Sequence, residues 1–104
     1  MLNIAVDYDK ETLREFCRRW RVTEFSLFGS AVRDDFAPES DVDVLVTLAP
    51  DAPWTLSSWL EMQRELERLF HRRVDLIERA AVEHSENRFR KRAILSSAVM
   101  LDVA

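Results

Sequence analysis

Apolar positions near the start of the chain recur with a helical period. Leu13, Phe16, Cys17 and Trp20 are spaced i, i+3, i+4 and i+7, the stripe of an amphipathic helix that buries one face. Asp9 stands where an N-cap is wanted, so the pattern predicts a first helix from Asp9 to about Trp20. Residues 22–28 are rich in β-branched and aromatic types and predict a strand ending at Gly29. Residues 30–34 suit a short helix, and 36–40 a loop with Pro38 and Ser40 as turn formers. Residues 41–48 form the clearest strand, after which Pro50 and Pro53 break the chain. Pro53 fits the first turn of a long helix over about 54–70. Leu56, Trp59, Met62, Leu66, Leu69 and Phe70 fall on one side of that helix, and Glu61, Arg64, Glu65, Glu67 and Arg68 are expected to be solvated. Residues 73–79 predict a third strand with Val74, Leu76 and Ile77 as its apolar members. A last helix over about 85–97, with Phe89 and Ala93 toward the core, and an apolar tail over 99–103 that adds an edge strand complete the pattern. The order αβαβαβα(β) predicts an α+β (α/β) fold in which a small sheet is flanked by helices.

Composition narrows the class. At 104 residues the chain is expected to form a single domain, 1–104, with one core. Apolar residues at 47% and charged residues at 33% are those of a globular protein. No stretch approaches the roughly 18 apolar residues of a membrane span, and the N-terminus lacks the build of a signal peptide, so a cytoplasmic location and no membrane partner are expected. A net charge of −4 argues against general nucleic-acid binding. Cys17 is the one cysteine. It permits no intrachain disulfide, and its place in the first stripe predicts core packing.

Glycine usage changes the picture. Ordinary usage would supply roughly seven glycines in a chain of this length, yet there is one, Gly29. It follows a predicted strand and precedes Ser30, and such a turn lets backbone come close to a ligand. Backbone amides at the start of a helix make an anion site, to which a serine hydroxyl can add a donor.

Ten residues after Ser30 comes Asp41-Val42-Asp43. Strand side chains alternate faces, so Asp41 and Asp43 point the same way, with Val42, Val44 and Val46 opposite. Two adjacent carboxylates repel unless a cation lies between them, and Mg²⁺ accepts a few carboxylates with water and phosphate oxygens. Asp75 interrupts a strand otherwise built for burial. If that strand pairs beside the one carrying Asp41, Asp75 completes a triad able to hold two Mg²⁺ ions, one activating a hydroxyl and one neutralising a triphosphate. The full pattern Gly-Ser-x10-Asp-x-Asp arises by chance in roughly one chain per thousand at ordinary usage. A phosphate-binding turn followed by metal-ready carboxylates outlines a nucleotidyl-transfer site.

At Phe28-Gly29-Ser30, the ten-residue spacer, residues 40–46 and Val74-Asp75-Leu76, the chain resembles the minimal nucleotidyltransferases of the DNA polymerase β superfamily. The resemblance covers roughly residues 22–101. It implies the nucleotidyltransferase fold, a small mixed β-sheet flanked by helices. It also implies an antitoxin of a type VII-like toxin–antitoxin pair, which moves AMP from ATP onto a tyrosine hydroxyl of a HEPN-domain toxin in a hetero-oligomer. Carried over residue by residue, Gly29, Ser30 and Arg33 would bind the nucleotide. Asp41 and Asp43 would ligate Mg²⁺, and Asp75 would complete the site and help deprotonate the acceptor. The family commonly continues Gly-Ser-Arg-Ala-Arg-Gly, whereas this chain reads Gly29-Ser30-Ala31-Val32-Arg33-Asp34. That departure leaves open an alternative from another class, a catalytically impaired binding module that neutralises its toxin by complex formation. Transfer to a small molecule such as an aminoglycoside would want an extra acceptor domain.

The densest basic run is Arg88, Arg90, Lys91 and Arg92. It suits a solvated helix face or a contact with triphosphate, RNA or an acidic partner. His71 and His84 have no metal-ligand companion at useful spacing and are expected at the surface.

Overall fold

The computed structural model describes residues 7–32, 40–52 and 55–104. Four strands form one mixed sheet in the order β3-β2-β1-β4, where β1 is Val22–Phe28, β2 Val42–Leu48, β3 Val74–Glu78 and β4 Val99–Met100. Helices α1 (Lys10–Trp20), α2 (Leu56–Phe70), α3 (Arg79–Glu83) and α4 (Arg88–Ser97) accompany them. β1 runs antiparallel to both β2 and β4, while β2 and β3 are parallel. A parallel pair needs a crossover, and α2 supplies it.

The sheet is covered on both faces. Phe25 and Leu27 of β1, Val42, Val44 and Val46 of β2, and Val74 and Leu76 of β3 meet Leu13, Phe16 and Cys17 of α1 and Met62, Leu66 and Phe70 of α2. Phe16 meets Phe25 edge-on, with ring centroids 6.4 Å apart, a favoured aromatic arrangement. On the other face a smaller cluster joins Phe28 and Leu45 to Val82 of α3 and Ile94 of α4. Strand alternation explains the division, since odd and even residues of β2 face opposite layers.

Local signals set the helix ends. Asp9 is the N-cap of α1 and accepts a 2.5 Å hydrogen bond from the Thr12 hydroxyl. Thr55 caps α2, and its side chain and that of Ser58 cap each other's backbone amides reciprocally. α1 and α2 end on Arg21 and His71, at φ 59° and 57°, left-handed C-caps without glycine.

Several expectations needed correction. The long helix begins at Leu56, because the reciprocal cap lies at Thr55 and Ser58; Pro53 and Trp54 lie outside the described residues. Leu56 is not on the buried side but 73% exposed. Glu65 is not a solvated member of α2: its carboxylate accepts the Trp20 indole N–H at 2.6 Å and pairs with Arg19 at 2.6 Å, clamping α1 to α2. Glu67 accepts the Val74 N–H at 3.1 Å. The helix expected over 85–97 is α4, which starts at Arg88 after the Asn87 cap, and a short α3 that was not expected follows β3 directly. Phe89 is 90% exposed rather than turned to the core, since Ile94 is the buried residue of α4. The short helix expected over 30–34 is a 3-10 turn at Gly29–Val32, and the loop at 36–39 lies outside the described residues.

Candidate active site

β2 carries the site because it is central. Phe28 of β1 stands opposite Asp43, and Asp43 stands opposite Asp75 of β3. Neighbouring strands lie about 4.8 Å apart, so the register brings these two carboxyl-bearing residues side by side. Both lie on the sheet face of Leu45 and Ile77, beyond the end of the small cluster under α3 and α4. Asp41 stands one residue ahead of β2 and is exposed; Asp43 is half-buried and Asp75 exposed. Asp75 lies on β3, the outer strand, and so faces arrivals from solvent.

The strand starts are fastened together. The Val42 N–H donates to the Arg73 carbonyl at 2.9 Å, and Arg72 Nη1 donates to the Ser40 carbonyl at 3.3 Å. These bonds fix the register that pairs Asp43 with Asp75. Sequence reading missed Arg72, because nothing local marks a side chain that bridges two distant strand starts.

Gly29 packs directly against Asp43. Its φ of 68° is left-handed, and a Cβ built on it would collide with Asp43 Oδ2 and lie 3.2 Å from Asp43 Cγ. Two demands therefore converge on glycine: a backbone conformation that side chains avoid and space already taken by a carboxylate. The turn and Asp43 are one unit. Ser30 follows in the same 3-10 turn, while Arg33 and Asp34 lie outside the described residues.

The donor set suits a hard divalent cation. Among the described residues no three carboxylate, imidazole or thiolate groups close on one point. Mg²⁺ does not require that, since one or two carboxylates commonly hold it while water and phosphate oxygens complete its shell. Asp43 and Asp75 in register, with Asp41 two residues away, meet this need.

Elsewhere, chemistry is quiet. Burial pushes the Cys17 thiol up to about 12 from an ordinary 9.0, so it packs as a neutral core group, as expected. His71 and His84 are exposed. Arg88, Arg90 and Arg92 are exposed on α4, and the Lys91 ammonium donates to the Glu83 carbonyl at 2.8 Å. Among the described residues no helix is long and apolar enough to cross a membrane.

A small mixed sheet with a Gly-Ser turn against one central acid and a second acid in register is the architecture of a nucleotidyltransferase, and residues 9–101 match the family described as nucleotidyltransferase domain. The chain belongs to that family and is a nucleotidyltransferase. It is 38% identical over 74 residues to the protein adenylyltransferase MntA of Thermococcus cleftensis, covering 71% of this chain and 70% of that one. Its fold is similar to a solved minimal nucleotidyltransferase, with a TM-score of 0.68 at 25% identity over 88% of both chains. A solved toxin–antitoxin with AMP-PNP shares the fold, with a TM-score of 0.66 at 16% identity over 88% of this chain and 71% of that one.

Proposed function

We propose that this chain transfers AMP from ATP to a hydroxyl, a tyrosine of a cognate HEPN-domain toxin, and so acts as the antitoxin of that pair. The observation that carries the reading is the contiguity of Gly29, Asp43 and Asp75. The similarity to an MntA adenylyltransferase supports the adenylyl group and the protein acceptor. The fold shared with a toxin–antitoxin containing AMP-PNP supports ATP and a toxin partner in a hetero-oligomer.

The chain's own residues divide the work by position. Gly29 and Ser30 orient the triphosphate with backbone amides. Asp41, Asp43 and Asp75 would hold Mg²⁺, two ions in this reading, which when bound would neutralise phosphate charge and acidify the attacking hydroxyl. Asp43, half-buried against the turn, serves the phosphate side. Asp75, exposed on the outer strand, serves the acceptor and takes its proton. The acceptor oxygen forms a bond to the α-phosphorus, the bond from that phosphorus to the bridging oxygen breaks, and pyrophosphate leaves. Arg33 adds a cation for the phosphates.

Incubating the chain with its toxin, Mg²⁺ and labelled ATP is expected to label the toxin by one or more AMP groups. Labelling that survives Asp41→Ala and Asp43→Ala contradicts the assigned site. Ala31 and Asp34 stand where the family commonly has arginine and glycine, which favours a second reading as a binding module that neutralises by complex formation. Neutralisation that persists in Asp41→Ala/Asp43→Ala/Asp75→Ala, with an unmodified toxin by mass spectrometry, selects it.

A further inference from the structure

The sheet has an open edge one residue beyond Asp75. β3 pairs with β2 on one side, and no strand of the described residues lies on the other. Glu67 accepts the Val74 N–H, so Val74 turns its backbone outward, away from β2. Strand backbone groups alternate, so Leu76 and Glu78 turn theirs outward as well. Unpaired edges of this kind invite another strand.

Helices on both faces reach past that edge and enclose a groove of about 440 Å³. Leu76 and Ile77 form its floor, Leu56 and Trp59 one wall, and Val82 and Ile94 the other. Leu56 is 73% exposed, so apolar surface at this wall is left to water.

Arg90 and Lys91 also line the groove; Glu78, at the end away from Asp75, is its one acid. Among the described residues no carboxylate pairs with Arg88, Arg90, Lys91 or Arg92. Four such cations concentrated beside the groove, in a chain of net charge −4, give this surface a sign opposite to the whole.

We propose that the open edge of β3 and its groove bind an extended apolar segment of the acceptor protein, flanked by acidic residues, as a fifth strand. Main-chain hydrogen bonds to Leu76 and Glu78 hold such a segment, the groove takes its alternate side chains, and the basic run takes its acids. Because the groove starts beside Asp75, the docked segment is held next to the carboxylate that faces the acceptor. The identity of the acceptor as the toxin rests on the function proposed above; the docking mode rests on the edge, the groove and the charge.

The test uses the chain in complex with its toxin. Amide exchange followed by NMR is expected to slow at least tenfold at Leu76 and Glu78 on complex formation. Leu56→Asp, at an exposed position, and Arg90→Glu/Lys91→Glu are each expected to weaken toxin binding at least tenfold by calorimetry. Binding of the ATP analogue AMP-PNP by the chain alone is expected to stay unchanged. Unchanged exchange and unchanged toxin affinity overturn the proposal. So does a loss of AMP-PNP binding in the variants, which would assign the groove to the nucleotide, or a shift in the sedimentation of the chain alone, which would assign it to a second copy. A complex that docks through the groove without AMP transfer contradicts the proposed function and leaves the docking site standing. Transfer and binding that ignore the groove variants do the reverse.

Discussion

The Asp43 carboxylate lies where a β-carbon at position 29 would have to be. Gly29 therefore serves the acid before it serves any ligand, and the turn and β2 form one interlocked unit. Gly29→Ala is expected to cost at least about 1–2 kcal/mol from the left-handed backbone alone, read by urea unfolding, with further loss from displacement of Asp43. Adding Asp43→Ala removes the collision but not the backbone strain. A coupling of about 0.5–3 kcal/mol between the two sites is expected in the double-mutant cycle, and strict additivity would show that they do not share space.

Asp43 and Asp75 are neighbours in register with different exposures, and their variants should separate. Asp75→Asn is expected to lower AMP transfer by about 10²–10⁴ while leaving AMP-PNP affinity nearly unchanged, as expected of a group on the acceptor side. Its effect on stability should stay within about 0.5 kcal/mol, because the side chain is exposed. Asp43→Asn should lose both transfer and Mg²⁺-dependent AMP-PNP binding. Calorimetry of the two variants decides this division of roles.

Much of this was readable from the pattern of residues, and the misses share a cause. β1 was readable in full from its run of β-branched and aromatic residues, and α1 from its stripe and Asp9. Each depends on residues close in sequence. Asp75 was recognised as an oddity in an apolar strand, but its place beside Asp43 depends on a parallel pairing across α2 that no local signal encodes. Phe89 and Leu56 were misplaced because periodicity tells which residues share a helix face and not whether another layer reaches it. The same holds for Glu65 and Glu67, charged residues whose partners lie on other elements. The single glycine was flagged by composition; its reason, the Asp43 carboxylate, needed the fold.

Glu65 joins Trp20 and Arg19 of α1 to α2, whereas among the described residues Glu61 pairs with exposed Arg64 and Arg68 of its own helix. Glu65→Ala is expected to destabilise by about 1–3 kcal/mol, since it leaves a half-buried indole N–H and a guanidinium without their acceptor. Glu61→Ala should cost no more than about 1 kcal/mol. Chemical unfolding of both variants, with tryptophan fluorescence as one probe, checks the contrast.

Burial raises the Cys17 pKa to about 12 from 9.0, and the sign of the pH effect follows. The folded state holds the neutral thiol, so its contribution is complete below about pH 9, declines as the unfolded thiol ionises, and is lost as pH passes about 12. Cys17→Ser should remove that alkaline slope at some cost in core packing. Native protein at pH 8 is expected to react with iodoacetamide far more slowly than unfolded protein.

The central claim is AMP transfer governed by Asp43 and Asp75, and mass spectrometry of the toxin tests it most directly. After incubation with the chain, Mg²⁺ and ATP, the toxin should gain AMP on a tyrosine, and Asp43→Asn, Asp75→Asn or chelation of Mg²⁺ should abolish or severely reduce that gain. A toxin that stays unmodified with the wild-type chain, or is modified equally by both variants, would contradict it.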